Sequence, residues 1–130
     1  MINAIYHVSL IVSDTERALT FYHNLLGLQV DDTRPDLGYP GAWLFIAGQQ
    51  IHLLELPNPD PIEGRPVHGG RDRHVAFTIK SIRELKSRLQ QQQIDFTESR
   101  SGRAALFCRD PDGNALEFIE QPRQFPGLTT

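Results

Sequence analysis

The chain has 130 residues, of which 39% are hydrophobic and 22% are charged. This length suits one compact domain or two small half-domains that share a core, and the composition is not that of a disordered polyelectrolyte. The formal net charge is -3, with 13 basic residues scattered among 16 acidic ones. The sequence therefore lacks the basic patch that nucleic-acid binding requires.

The N-terminus and the cysteine content indicate a soluble, cytoplasmic protein. The stretch MINAIYHVSLIVSD has neither a basic lead nor a small-residue cleavage site, so we expect no signal peptide. No apolar run approaches the ~20 residues that span a membrane. The single cysteine, Cys108, excludes an internal disulfide and a multi-cysteine metal site, and its position favours a buried structural thiol in a strand.

The first half of the chain predicts a β-α-β-β-β unit. The segment IYHVSLIV (5–12) is β-branched and bounded by turn residues, which is typical of a strand. Apolar residues then recur at helical spacing over 14–26, after a predicted capping box of Ser13 and Glu16 and before a stop at Gly27. The segments LQV, AWLFIA and IHLLEL follow as predicted strands.

A segment rich in proline and glycine divides the chain. The stretch 58–72 is long for a loop in a compact domain, which favours a functional loop or a junction between modules. We expect a single domain over 1–130, in which this linker joins module 1 (about 3–57) to module 2 (about 73–121).

The same pattern restarts after the linker. RHVAFTI is a predicted strand, and SIRELKSRLQQQ is a predicted helix that opens with a second capping box, Ser81 and Glu84. IDFTES and RAALFCR are predicted strands, DPDGN is a strong turn pattern, and ALEFIEQ is the final predicted strand. Residues 122–130 are interpreted as a polar tail.

The two halves form an internal repeat with four matching polar positions. HVSLIVSDTERALTFY matches HVAFTIKSIRELKSRL in pattern, with His7 and His74 at the heads of the two copies. His52 in GQQIHLLELP and Glu117 in GNALEFIEQP occupy matching places near the ends. Two copies of one unit predict an approximate two-fold relation, which makes these four positions equivalent.

Three imidazoles and one carboxylate are a suitable ligand set for a borderline divalent metal ion. They leave one or two coordination positions for water or substrate, as Lewis-acid chemistry requires. A lone histidine in a strand is more often a hydrogen-bonded structural residue, and a lone glutamate in a final strand is more often at a wet edge. The repeat is what favours a metal site over these alternatives.

The segments HVSLIVSDTERALTFYHNLLGLQV, IHLLE, RHVAFTI and DPDGNALEFIE resemble the vicinal oxygen chelate superfamily, over about residues 3–121. This superfamily includes glyoxalase I, fosfomycin-resistance thiol transferases, extradiol ring-cleaving dioxygenases and metal-free bleomycin-resistance proteins. The resemblance implies an α+β fold in which two paired βαβββ modules form a curved mixed sheet around a metal cleft.

The resemblance also implies a cofactor and a partner. One divalent metal ion (Ni, Zn, Mn, Co or Fe) would bind His7, His52, His74 and Glu117. Short members usually build each site at a dimer interface, so a homodimer is implied, with the first two ligands from one subunit and the last two from the other. Metal-free members usually lack these ligands, whereas this chain has all four.

The implied function is that of a glyoxalase-like enzyme, similar to lactoylglutathione lyase. Such an enzyme binds neighbouring oxygens of a small-molecule substrate to the metal and stabilises an enediolate. By resemblance Glu117 is the candidate catalytic base, and Trp43, Arg71 and Arg73 are candidate substrate contacts. A core position for Trp43 and solvated loop charges for the two arginines are the alternatives.

Two positions depart from the glyoxalase I pattern. That enzyme typically has a glutamate where this chain has His52, and its bacterial form has a glutathione-binding arginine where this chain has Ile11. GAWLF followed by IHLLE is similar instead to glyoxalase-like proteins of plants and bacteria.

Two other functions stay open at this stage. An Fe(II) extradiol dioxygenase needs two histidines and one carboxylate, which His7, His74 and Glu117 can supply, although His52 would then occupy a position that oxygen and substrate need open. A non-enzymatic protein of the same fold would bind a drug or metabolite in the cleft without a metal. We expect neither a nucleic-acid nor a membrane partner.

Overall fold

The structure is a computed structural model that describes residues 1–121; the segment interpreted as a polar tail lies outside the described residues. The chain divides into two compact units, Met1–Pro61 and a second unit that begins at Ile62. Each unit contains a four-stranded mixed sheet with the predicted β-α-β-β-β order. The α+β class and the paired βαβββ architecture are confirmed.

In unit 1 the sheet order is β1-β4-β3-β2, with β1 parallel to β4 and the other neighbours antiparallel. The helix α1 continues directly into a π-helical segment, Thr20–Leu25. The other elements are β1 (His7–Val12), α1 (Thr15–Leu19), β2 (Gln29–Asp31), β3 (Gly41–Ile46) and β4 (Gln49–Glu55).

The cap of α1 is one residue away from its predicted position. The side chain of Asp14 accepts a hydrogen bond from the backbone N–H of Arg17 (3.0 Å), so the predicted capping box of Ser13 and Glu16 is wrong. Asp14 has the extended backbone of an N-cap (φ −154°, ψ 116°), and its carboxylate also favours the positive end of the helix. Gly27 ends the helical stretch in the left-handed region (φ 79°), as predicted.

In unit 2 the sheet order is β5-β8-β7-β6, again with the first and last strands parallel. The hydroxyl of Ser81 accepts a hydrogen bond from the backbone N–H of Glu84, which confirms the predicted N-terminus of α2. The elements are a short 3₁₀ turn (Gly69–Arg71), β5 (His74–Ile79), α2 (Ile82–Gln91), β6 (Phe96–Glu98), β7 (Ala105–Arg109) and β8 (Ala115–Glu120).

In unit 1 the first strand is most exposed on the face of its histidine, whereas β7 and β8 of unit 2 bury consecutive residues on both faces. His7 and Ser9 are exposed on β1, and His74 is exposed on β5, because alternate residues of a strand point to the same face. Burial raises the pKa of the Cys108 thiol to about 12, so this cysteine is a structural residue as predicted. The most deeply buried large side chains are Val12, Tyr22, Leu44 and Leu53 in unit 1 and Leu89, Leu106 and Leu116 in unit 2.

The second half of the predicted linker is tied to unit 2 by an arginine–aspartate network. The carboxylate of Asp72 accepts hydrogen bonds from Arg65 (2.8 Å) and Arg109 (2.8 Å), and Arg109 also donates to the carbonyl of Pro66 (2.6 Å). The hydrogen bonds from Arg65 and Arg109 hold the pKa of Asp72 far below its usual range. Asp72 therefore stays ionised and fixes the chain directly before β5.

Across residues 1–121, none of the helices combines the length and hydropathy needed to cross a bilayer.

Gly41 begins the GAWLF motif at a point where two strands approach closely. A Cβ atom at Gly41 would lie 2.2 Å from the backbone oxygen of Leu53, so Gly41→Ala must push β3 away from β4. We expect a loss of about 1–3 kcal/mol in the free energy of unfolding, measured by urea denaturation. Gln49→Ala, at an exposed position of β4, should stay within about 0.5 kcal/mol of the original protein. Equal stability of both variants would refute the close approach.

Candidate metal centre

Three aromatic rings form a continuous stack on the polar face of unit 1. The ring centroids of His7 and His52 are 3.9 Å apart at an interplanar angle of 11°. On its other side His52 stacks against Trp43, at 4.4 Å and 9°. Trp43 is the direct cross-strand partner of His52, so it shares the face of the candidate ligands instead of entering the core. The structure thus brings the first predicted ligand pair together.

A hydrogen-bonded chain from Asp31 reaches the ring of His52. Gln50 donates from its amide nitrogen to the carboxylate of Asp31 (2.9 Å), and its amide oxygen lies 2.9 Å from Nε2 of His52. An ionised carboxylate only accepts hydrogen bonds, which fixes the orientation of the Gln50 amide. Nε2 of His52 is therefore the donor, and in the neutral ring Nδ1 keeps the lone pair that can bind a metal.

Asp31 is a suitable anchor for this chain because it is buried and charged. It is 5% exposed and also accepts hydrogen bonds from the hydroxyl (2.6 Å) and the backbone N–H (2.9 Å) of Thr33. These hydrogen bonds lower the pKa of Asp31. The pKa of His52 is lowered as well, mainly by its burial and then by its positive neighbours His7 and Arg34. A neutral imidazole is the form that ligates metals.

The second predicted pair meets in unit 2. Nε2 of His74 lies 3.2 Å from Oε1 of Glu117, and Nδ1 of His74 lies 2.9 Å from the backbone carbonyl of Asp72. The carbonyl only accepts, so Nδ1 of His74 is the donor, and Nε2 is the ring nitrogen that faces the carboxylate. Glu117 is only 5% exposed, so it does not lie at the wet edge that is usual for a lone glutamate in a final strand. The imidazole of His74 and the carboxylate of Glu117 are thus two potential metal ligands that face each other.

Two further side chains surround the second pair. Arg103 donates from Nη2 to Oε2 of Glu117 (3.2 Å), so both carboxylate oxygens have partners. The ring of Phe107 packs edge to face against His74, with centroids 5.2 Å apart. On its other flank Phe107 contacts the ring of His68 (4.7 Å), whose Nδ1 shares a hydrogen bond with the hydroxyl of Thr97 (2.7 Å).

A cavity of about 350 Å³ lies next to these rings in unit 2. Its lining includes Gly69, Thr97, Phe107 and Arg109. The lower end of the size range of small-molecule sites is about 300 Å³, so the cavity can hold a small organic molecule.

The four predicted ligands therefore occur as two pairs, one in each unit. Among the side chains of residues 1–121, no group of three or more His, Cys, Asp and Glu is arranged to hold a metal ion. The chemistry of the donors fits such an ion, since imidazole nitrogen and carboxylate oxygen suit Zn, Ni, Mn, Co and Fe. In unit 1 the lone pairs of the two rings lie in nearly parallel planes, with ring centroids 3.9 Å apart, so one ring must turn before both can bind one ion at about 2.1 Å.

The two other predicted substrate contacts are arginines that lie outside the two ligand pairs. Arg71 lies in the 3₁₀ turn and Arg73 directly precedes β5, and both are exposed. Their role in substrate binding stays a prediction. Gln50 and Arg103 were not among the predicted site residues. Strand alternation places Gln50 on the face of His52, whereas nothing in the loop sequence SRSGRA distinguishes Arg103.

Comparison with known proteins places most of the chain in one family. The family model for the Glyoxalase/Bleomycin resistance protein/Dioxygenase superfamily matches residues 4–118. Glyoxylase I 4 of Arabidopsis thaliana is 30% identical over 123 residues, which cover 90% of this chain and 70% of that protein.

Solved structures show the same fold. The crystal structure of a glyoxalase family protein from Bacillus anthracis matches with a TM-score of 0.76 and 27% identity, covering 93% of this chain and 97% of that chain. A mutant of the fosfomycin resistance protein FosX from Listeria monocytogenes, complexed with Mn(II) and dihydroxypropylphosphonic acid, matches with a TM-score of 0.71 and 22% identity over 92% and 93% of the two chains.

The hydrogen bond between His52 and Gln50 predicts a protected ring proton. In the metal-free protein we expect a slowly exchanging Nε2–H signal of His52 by ¹⁵N-edited NMR at a pH where the ring is neutral. Gln50→Leu removes the acceptor and should abolish the signal, whereas Gln49→Leu changes the adjacent glutamine, which bonds to the carbonyl of Ile5 instead. A dominant Nδ1–H tautomer in the original protein would contradict the assignment.

The lowered pKa of His52 predicts a specific pH response of Trp43, the one tryptophan of the chain. The fluorescence of Trp43 should titrate with a midpoint below the ordinary histidine pKa of about 6.5. His7→Ala should raise that midpoint, because it exposes the ring of His52 to water and removes the electrostatic effect of His7. His52 binds a proton more readily in the unfolded chain than in the folded one. Its contribution to the free energy of unfolding is therefore fully present above about pH 6.5 and is lost as the pH falls through the lower pKa of the folded chain. His23→Ala, outside the stack, should leave the midpoint unchanged. A midpoint above 6.5 would refute the stacked, buried state.

Proposed function

Because the chain belongs to the Glyoxalase/Bleomycin resistance protein/Dioxygenase superfamily, we propose that it is a divalent-metal-dependent enzyme of glyoxalase type. Its substrates would be small molecules with two neighbouring oxygen atoms, such as the adduct of a 2-oxoaldehyde with a thiol. The observation that carries this proposal is the pairing of donors in both units: His7 with His52, and His74 with Glu117.

These four side chains would hold one divalent ion. The proposal draws support from their tautomers, since His52 and His74 each have one ring nitrogen engaged as a donor and the other available as a ligand. It is further supported by FosX, which has the same fold and was crystallised with Mn(II). Following the family resemblance, we propose a homodimer in which each ion takes one pair from each subunit. The identity of the ion depends on availability, because such a ligand set accepts several divalent metals.

A bound ion would act as a Lewis acid that polarises the substrate oxygens and stabilises the negative charge developing on them. Glu117 is the proposed base: its carboxylate removes a proton from the carbon next to the carbonyl and returns it to the neighbouring carbon. Before an ion binds, Arg103 donates to Oε2 of Glu117 (3.2 Å) and the ring of His74 lies beside Oε1. The ring of Trp43 packs against His52, and that of Phe107 packs against His74.

A ring-cleaving dioxygenase is the second candidate function. His52 has its two faces covered by His7 and Trp43 and one nitrogen bound by Gln50, which favours a supporting role for this ring. Two histidines and one carboxylate would remain, which is the ligand set of non-haem Fe(II) oxygenases.

Metal-reconstituted protein distinguishes the two functions. We expect the purified, Ni- or Zn-loaded chain to convert methylglyoxal in the presence of a thiol, and Glu117→Gln to lower kcat by about 10²–10⁴. His52→Ala should abolish both this turnover and the affinity for the metal ion. His23→Ala, at an exposed position, is the matched control and should change neither. Oxygen consumption with catechols by the Fe-loaded protein, retained in His52→Ala, would establish the dioxygenase instead. A protein that binds small molecules without metal and turns over no thiol adduct would contradict both.

A further inference from the structure

We propose that Arg103 determines substrate specificity by exchanging its partner, from Glu117 in the metal-free protein to an anionic group of the substrate when metal is bound. The inference rests on the proposed metal site and adds a substrate class to it. That class is small molecules in which a carboxylate or a phosphonate stands next to the two metal-binding oxygens.

The contact between Arg103 and Glu117 is weak enough for Arg103 to exchange it for a contact with another partner. It is a single hydrogen bond of 3.2 Å, longer than the 2.7–2.9 Å typical of charge-assisted pairs. The side chain of Arg103 is 57% exposed, whereas that of Glu117 is 6% exposed. A monodentate pair with one partner in water contributes little to stability. Moving Arg103 therefore costs the fold little.

The guanidinium of Arg103 has N–H donors available for a second partner. Of its five N–H groups, two have partners within residues 1–121: Nε–H donates to the hydroxyl of Ser101 (3.3 Å) and one Nη2–H donates to Glu117. The bond to Ser101 holds the base of the side chain while the outer edge stays open. An outer edge of this kind binds a carboxylate or a phosphonate in bidentate geometry, which a single glutamate oxygen does not use.

Metal binding provides the force for the exchange. A divalent cation held by Glu117 would offset the negative charge that attracts Arg103, and it would place like charge beside the guanidinium. An anionic substrate group then becomes the better partner. Metal and anion must therefore bind cooperatively, and each raises the affinity of the other by the same factor.

Arg100 provides a matched control for this idea. It lies in the same loop between β6 and β7, is exposed, and carries the same charge three residues earlier. General attraction of anions by a basic loop would depend on both arginines equally. Exchange at Glu117 depends on Arg103 alone.

Calorimetric titration of the Zn-loaded full-length protein with malate and lactate tests the proposal, since these hydroxy acids chelate alike and malate adds one carboxylate. We expect malate to bind about tenfold more tightly, a preference that Arg103→Gln removes, Arg103→Lys retains in part and Arg100→Gln leaves unchanged. Without any anion, Arg103→Gln should bind Zn about threefold more tightly, because a cation near the ligand has gone.

Each other outcome is decisive. Equal affinities for malate and lactate in a protein that binds Zn overturn the role of Arg103 and leave the proposed metal site intact. A malate preference that survives in Arg103→Gln, a preference equally lost in Arg100→Gln, or weaker Zn binding by Arg103→Gln would do the same. Failure of the original chain to bind Zn at all overturns the proposed function itself. Unchanged thermal unfolding of each variant confirms that the fold is preserved.

Discussion

The parallel pairing of the first and last strand in each unit is the constraint on which the candidate site depends. It sets Ser9 of β1 opposite His52 of β4, and Ala76 of β5 opposite Glu117 of β8. The two small residues leave the face open, so a histidine two positions earlier on the same strand can lie against the donor on the next one. A shift of one residue in either pairing would turn its donor into the apolar core.

The two donor pairs are equivalent in position but differ in their surroundings. In unit 1 the rings stack, and a hydrogen-bonded chain from Asp31 through Gln50 fixes Nε2 of His52 as the donor. In unit 2 the backbone of Asp72 orients His74, and the guanidinium of Arg103 balances the carboxylate. Outer hydrogen bonds of this kind fix the tautomer and direction of metal ligands. The repeat thus combines a pair of two imidazoles with a pair of one imidazole and one carboxylate.

The sequence predicted the elements well because each has a strong local pattern. β-branched alternation, helical spacing and the glycine at 27 are local, and the repeat brought His7, His52, His74 and Glu117 to notice. The first capping residue was wrong by one position, since neighbouring serine and aspartate are both good caps and only the backbone decides between them.

Long-range contacts were beyond the sequence. Nothing local indicates that Asp31 reaches Gln50 across the sheet, or that a loop arginine lies on Glu117. These contacts depend on strand register and loop conformation, which only the folded chain defines. Trp43 illustrates the difference: the sequence left a substrate contact and a core position open, whereas the register places this ring flat against His52.

X-ray absorption at the metal edge of the Zn- or Ni-loaded protein tests the central claim most directly, because its fine structure counts imidazole ligands. Ligation by His7, His52, His74 and Glu117 predicts a shell of nitrogen and oxygen at about 2.0–2.2 Å with the scattering of three imidazoles. A shell with a sulfur ligand, or with one imidazole or none, would contradict a shared site of the two pairs.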